Sequence, residues 1–341
     1  MYIHGIGIIS SVGRGIEAHR QALTDASLPA VVDGFHRVSE KDLKDPILVK
    51  EARRADRFDR MAILAGLDAL ADAGIYSDAS LSTVGLILAT GFGPHTTTFR
   101  FLDDLLNFKE KDVSPTLFSH SVHNAAASYL SLLARIHGPT LTVTRFFFAF
   151  EEALSLARSW LEQQRCEHVL AGVVDELGSV MENIIRFKTK YDLEESKRLS
   201  APFVRMNAVS GEGGAFFVLS KKPSKKSYGG ISPKLNDMAL ASASDQILFL
   251  SSEHFSNSKD NYYNDVAVGS LASVESLFGR QPCPSALNCA TAALLLNDSK
   301  LYQEMNPELY LRKSSSLPES CISICRNYQG IARAIKINKN H

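Results

Sequence analysis

Apolar and polar positions along this chain follow two periods, and they divide it into elements. Residues 2–9 form a short apolar run closed by Ser10-Ser11-Val12-Gly13, the pattern of a buried strand and a turn. Over 55–73 the apolar residues fall at helical spacing (Phe58, Met61, Ala62, Leu64, Ala65, Leu67, Ala69, Leu70), with Asp56 placed to cap the start and Gly74 the end. Residues 83–89 are apolar and β-branched and run into Thr90-Gly91-Phe92-Gly93, a buried strand feeding a glycine turn. A helix is predicted over 125–135, stopped by Gly138-Pro139; a β-branched strand over 140–144; a strong helix over 150–164; a buried strand over 169–174; and a strand over 211–220 that starts in a glycine turn. Strands that are apolar throughout, alternating with helices, predict an α/β fold whose sheet is covered on both faces.

Residues 221–232 break this pattern. They are rich in Lys, Ser, Pro and Gly, and they mark the expected boundary between an N-terminal half, 1–226, and a reduced C-terminal half, 227–341. The second half repeats the pattern more weakly, with a short strand near 266–268, a helix over 285–296 and a closing strand pair at 320–326 and 331–337.

The 341 residues have room for one large domain or two fused halves. Acidic and basic residues balance at 37 each, which removes the usual electrostatic argument for a nucleic-acid partner. The basic knot Lys221, Lys222, Lys225 and Lys226 reads as solvated loop. Cysteines at 166, 283, 289, 321 and 325 are odd in number and show no CxxC pair, so neither a disulfide framework nor a zinc site is expected, and a reducing cytoplasm fits. The start shows no basic-then-apolar leader pattern, and no apolar run is long enough for a membrane span.

Six segments, taken in order, resemble the β-ketoacyl synthase family of the thiolase fold. Gly5-Ile6-Gly7-Ile8-Ile9-Ser10-Ser11-Val12-Gly13 is similar to its opening strand and turn; Asp56-Arg57-Phe58-Asp59-Arg60 with the Ala-rich run to Gly74, to its first long helix; and Val84 to Ile87 with Thr90-Gly91-Phe92-Gly93, to its next strand. Gly138-Pro139 sits where the family places the approach to its nucleophile. Val169 to Glu176 resembles its "AGGVD" strand, and Pro202-Phe203 with Gly211-Glu212-Gly213-Gly214-Ala215 its "RPFD…GEGAG" segment. The resemblance implies a thiolase-like fold: duplicated α/β/α/β/α layers, mixed five-stranded sheets and a reduced C-terminal half.

It also implies chemistry that this chain has lost. The family uses a cysteine at the start of a buried helix as its acyl acceptor, two histidines from the second half, and a gating phenylalanine in a Gly-rich loop. Counting from Gly138-Pro139, the nucleophile position falls at about Phe147, and no Cys, Ser or Thr occurs over 145–150. The two histidine positions fall near Val266 and Pro284, in stretches without histidine, and Tyr328 stands at the gate. No catalytic residue is therefore expected, and no cofactor or metal.

The aromatic run Phe146, Phe147, Phe148 and Phe150 reads first as core. The sharper reading is a plug in a vestigial acyl pocket. Cys166 and Cys289 read as inert buried thiols. His120 and His123 could suit a metal, but no third ligand is evident in the sequence. By resemblance their segment crosses a dimer interface, which makes Phe118, His120, Val122 and His123 candidates to line a partner's tunnel, with Thr142, Thr144, Phe146 and Phe148 beside them. The glycines at 211–214 lack a GK[ST] ending and enter a strand, so they are not a phosphate loop.

These features imply a chain-length-factor-like, non-catalytic subunit. Its expected partners are an active ketosynthase subunit, with which it forms a heterodimer, and an acyl carrier protein, in fatty acid, polyketide or polyene synthesis. Two alternatives stay open: a divergent condensing acyltransferase that uses another residue, and a structural scaffold that binds carrier protein.

Overall fold

The computed structural model describes residues 1–29, 31–76, 81–108, 113–196, 209–234, 246–249, 269–326 and 332–340. In chain order the first part contains β1 (Tyr2–Ser10), β2 (Gly13–Arg14), α1 (Ile16–Thr24), α2 (Pro46–Glu51), α3 (Arg57–Asp72), β3 (Val84–Thr90), α4 (His95–Phe108), α5 (Pro115–Ser121), α6 (Ala125–Leu133), β4 (Thr140–Thr144), α7 (Ala149–Glu162), β5 (His168–Asp175), α8 (Ser179–Ser196) and β6 (Gly213–Ser220). Then follow β7 (Gly229–Lys234), β8 (Gln246–Phe249), β9 (Ser270–Ala272), α9 (Glu275–Phe278), α10 (Ser285–Asn297), α11 (Ser299–Glu304), β10 (Tyr310–Arg312), β11 (Ser320–Arg326) and β12 (Ala332–Asn338).

The strands lie in the order β10-β9-β8-β11-β12-β7-β1-β6-β5-β3-β4, with β2 folded onto β1. This path contains one pattern twice. Read from β4, the first five strands run β4-β3-β5-β6-β1; read from β9, the second five run β9-β8-β11-β12-β7. In each set the last strand in sequence, β6 or β12, is antiparallel to both neighbours, and the remaining pairs are parallel. The duplicated, mixed five-stranded arrangement of the thiolase-like fold is thus present, and the two sets meet through Tyr2↔Gly230 and Ile3↔Gly229.

Each strand of the first set sends alternate residues to opposite sides. Leu86, Leu88, Leu170, Phe216 and Val218 pack with Phe58, Met61 and Leu64 of α3 and Leu130 of α6. Ile87, Ala89, Val169, Ala171 and Phe217 face Phe150, Leu154 and Ala157 of α7. Helices α7 and α10 lie between the two sets: α7 touches β3 and β5 on one side and β7 and β12 on the other, and α10 touches β6 as well as β11 and β12. Every side chain of α10 from Ser285 to Leu296 is buried, as expected of a helix enclosed all round.

One segment departs from the sequence pattern. Residues 229–232 belong to the expected boundary 221–232, yet with Pro233 and Lys234 they form β7. Their composition is poor for a strand, but β1 and β12 offer unpaired edges on either side, and pairing overrides local preference.

The heads of α7 and α10 as a candidate functional site

Strand β4 leads into the head of α7 through residues 145–148. Gly138 allows β4 to start against β3, because a Cβ there would sit 2.1 Å from the Val84 carbonyl oxygen. Phe148 is the residue before the helix and holds φ 64° and ψ 20°, with no side-chain cap. A bulky side chain in the left-handed region costs about 1–2 kcal/mol. Phe148 is buried, and the Arg333 guanidinium lies over its ring at 5.0 Å. The strained elbow is therefore one residue beyond Phe147, which is half-buried with its ring 6.4 Å from that of Phe148.

The aromatic run divides. Phe150 is core, packed on Phe217 at 5.4 Å. Phe146 is not: it is 63% exposed and touches Phe92 at 5.3 Å, so it cannot fill a pocket from within. Its position beside the sheet-edge strand β4 turns it outward.

The start of α10 meets the start of α7. Pro284 precedes α10, and Ser285 donates from Oγ to Glu151 Oε1 at 2.5 Å. Burial raises the pKa of Glu151, while the Ser285 hydrogen bond and the helix start that carries it favour its anion. Next to it, Glu152 accepts from Arg145 at 2.5 Å and Arg333 at 2.6 Å. Asp175, at the end of β5, accepts from Thr90 Oγ1 (2.9 Å), Gly91 N (2.8 Å) and Phe92 N (3.2 Å); burial nevertheless pushes it up to about 6. Cys283 lies in the same buried group. Burial, then the charges of Asp175 and Glu151, hold its thiol well above the ordinary range. A nucleophilic thiolate needs the opposite surroundings.

Sequence reasoning missed Glu151, Glu152, Asp175, Cys283, Ser285 and Arg333 as one group. The paired acids in the first turn of α7 were the available signal, since anions favour a helix start. Val266 and Tyr328 lie outside the described residues.

The other candidates cluster around the turn at 90–93. Gly93 has φ +66°, and a Cβ there would lie 2.3 Å from His123 Cδ2. His123, Val122 and Phe118 are exposed, and Phe118 also contacts Phe101 at 5.5 Å. His120 is buried, with Nε2 3.3 Å from the Tyr129 hydroxyl and Nδ1 3.4 Å from Asp59 Oδ2. Thr142 is half-buried and Thr144 exposed on β4, which ends the sheet. Among the described residues no helix is long and apolar enough to cross a membrane.

The glycine turn 211–214 holds a clamp. Glu212 is fully buried and accepts from Val38 N and Leu177 N, each at 3.0 Å, and from Arg57 Nη2 at 2.5 Å.

The duplicated sheet with two enclosed helices defines a thiolase-like condensing-enzyme fold. Residues 30–224 match the family model for the β-ketoacyl synthase N-terminal domain, and the chain belongs to that family. It is 25% identical over 154 residues to 3-oxoacyl-[acyl-carrier-protein] synthase 2 of Vibrio harveyi, covering 42% of this chain and 37% of that protein. It is 27% identical over 184 residues to the oxytetracycline polyketide putative β-ketoacyl synthase 1 of Streptomyces rimosus, covering 50% and 43%. The chain thus spans 37–43% of the length of these curated relatives. In structure it is similar to a β-ketoacyl synthase from Burkholderia phymatum STM815 (TM-score 0.73, 18% identity, 100% and 99% covered). It is also similar to the ishigamide ketosynthase/chain length factor (TM-score 0.70, 15% identity, 99% of each covered). At these identities the likeness establishes the shared fold.

Proposed function

We propose that this chain is a non-catalytic, chain-length-factor-type ketosynthase subunit. It pairs with an active ketosynthase and shapes the tunnel that holds an acyl or polyketide chain delivered by an acyl carrier protein. The observation that carries the reading is the head of α7. Its elbow carries the buried ring of Phe148 under Arg333, and burial first, then the charges of Asp175 and Glu151, hold the Cys283 thiol well above its ordinary range. A thiolate acyl acceptor has no support there. The edge strand β4, with Leu141 40% exposed and Phe146 beside it, offers a surface for pairing with a partner strand. Thr142, Thr144, Phe118, Val122 and His123 belong to the same surface in this reading. The fold is shared with a ketosynthase/chain length factor, which supports a ketosynthase-like reading.

Co-expression with a ketosynthase from the same gene cluster tests the pairing. The expected result is a 1:1 complex, and condensing activity that depends on the ketosynthase cysteine alone. A stable homodimer that ignores that partner overturns the pairing.

The enzymatic alternative has one specific observation behind it, the hydrogen bond between Ser285 and Glu151, a nucleophile and a base in contact. Both are buried. Intact mass after incubation with acyl-carrier protein separates the two: no adduct is expected, and an adduct lost in Ser285→Ala would establish the alternative.

A further inference from the structure

The sequence offered His120 and His123 as a histidine pair without a third metal ligand. The structure separates that pair and gives His120 two other neighbours. One ligand-type atom from each of Asp56, Asp59 and His120 lies within 4.8 Å of the others, the one such cluster of three among the described residues. His123 instead lies against Gly93.

The capping box at the head of α3 accounts for part of this group. Asp56 accepts from Asp59 N at 2.9 Å, and Asp59 Oδ2 faces Asp56 N at 3.4 Å. The other Asp56 oxygen accepts from Thr97 at 2.5 Å. Asp59 Oδ1 is left over. The residue is fully buried, and this oxygen has no hydrogen-bond partner. An unpartnered buried carboxylate oxygen is costly, and such an atom calls for an explanation.

The geometry points to a divalent-cation site of zinc type, built from the carboxylates of Asp56 and Asp59 and from Nδ1 of His120. The 3.4 Å between His120 Nδ1 and Asp59 Oδ2 equals the edge of a tetrahedron with bonds of about 2.1 Å, the length that zinc takes to nitrogen and carboxylate oxygen. The far nitrogen of His120 faces the Tyr129 hydroxyl at 3.3 Å, the outer contact that fixes a ligating imidazole. A cleft of about 230 Å³ reaches the Asp56 side of this group, where Arg57, Thr96, Thr97, Arg100 and Glu176 also line it. Of the three cations lining that cleft, Arg57 is held by Glu212 and Glu40 and Arg60 donates to the Ala55 carbonyl; Arg100 is the third. Two carboxylates and a neutral imidazole leave a bound dication neutralised.

The test uses the full chain without a histidine tag, freed of metal by chelator. Calorimetric titration with zinc is expected to give one equivalent per chain, and zinc is expected to raise the melting temperature. His120→Gln and Asp59→Asn should each remove the binding, and Tyr129→Phe should weaken it about 10-fold. Asp59→Asn keeps the shape and removes a buried charge, so its melting temperature in chelator should equal or exceed that of the wild type. Its failure to respond to zinc then reads the site and not the fold. Three results would each overturn the inference: no zinc bound by the wild type; an undiminished zinc response in Asp59→Asn; or a thiolate charge-transfer band on cobalt substitution, which would place the ion on cysteine.

Discussion

Helices α3 and α7 both start after a turn, and both carry acidic residues in their own first turn. At α3 the start follows the rules of an isolated helix. Asp56 sits extended (φ −78°, ψ −175°), caps the Asp59 amide, and is followed by the clamp in which buried Glu212 holds Arg57. At α7 the equivalent position is Phe148, left-handed and without a cap, and the first-turn acids are taken up by Ser285, Arg145 and Arg333 from elsewhere in the chain. The first start has a local cap as well as a tertiary clamp, whereas the second has no side-chain cap and is tied by tertiary contacts. Strain persists only where surrounding structure over-determines it, and it concentrates at functional sites. The strained start is also the one next to which the family resemblance places the family's nucleophile position.

The largest expected effect lies on the well-formed side. Glu212→Ala strips Arg57 of its buried partner and leaves the Val38 and Leu177 amides without acceptors. A loss of about 3–5 kcal/mol in denaturant unfolding is expected. A loss below 1 kcal/mol would mean that α3 does not depend on this clamp. On the strained side, Phe148→Ala removes a buried ring and should cost about 3 kcal/mol. Phe148→Gly removes the same ring but accepts the positive φ, so it should be less destabilised than the alanine variant by about 1 kcal/mol. If Gly and Ala destabilise equally, the elbow stores no strain and the contrast between the two starts fails.

The same contrast decides what was legible in the sequence. The capping signal of Asp56, the strand 169–174 and the closing pair at 320–326 with 331–337 can all be read locally, because composition and period determine them. β7 was not, since Gly229-Gly230 and Pro233 become a strand only when β1 and β12 present their edges. At the site, the absence of Cys, Ser and Thr over 145–150 was visible, and the left-handed backbone of Phe148 was not, because no side-chain pattern encodes a backbone dihedral. The Glu151–Ser285 contact spans 134 positions, and only the packing of α7 on α10 creates it. Asp59 with His120 was hidden for the same reason.

Buried charge gives a pH-dependent way to sharpen the comparison. Asp175, behind the head of α7, is raised by burial to about 6. The folded state therefore binds its proton more tightly than the unfolded chain, so its contribution is full below about pH 4 and is lost as the pH rises through about 6. Relative to Asp175→Asn, the wild type should lose on the order of 2 kcal/mol between pH 4 and pH 7. Urea midpoints across that range measure it, and parallel curves for the two proteins would show that Asp175 titrates as an ordinary carboxylate.

The smallest effect tests the well-formed start alone. Asp56→Ala removes the acceptor for the Asp59 amide and for Thr97, and should cost about 1 kcal/mol. Asp56→Asn keeps an acceptor oxygen at the same place, and Asn caps about as well as Asp, so its cost in chelator should be close to zero. The pair separates hydrogen bonding from charge. If Asn costs as much as Ala, then it is the charge near the α3 dipole that holds this start, and α3 would rely on long-range electrostatics as α7 relies on Arg145 and Arg333. If Asn matches the wild type, the cap is local, and the start of α7, which has no such cap, is ordered by the ring of Phe148 and by the contacts of Ser285, Arg145 and Arg333 with its first-turn acids.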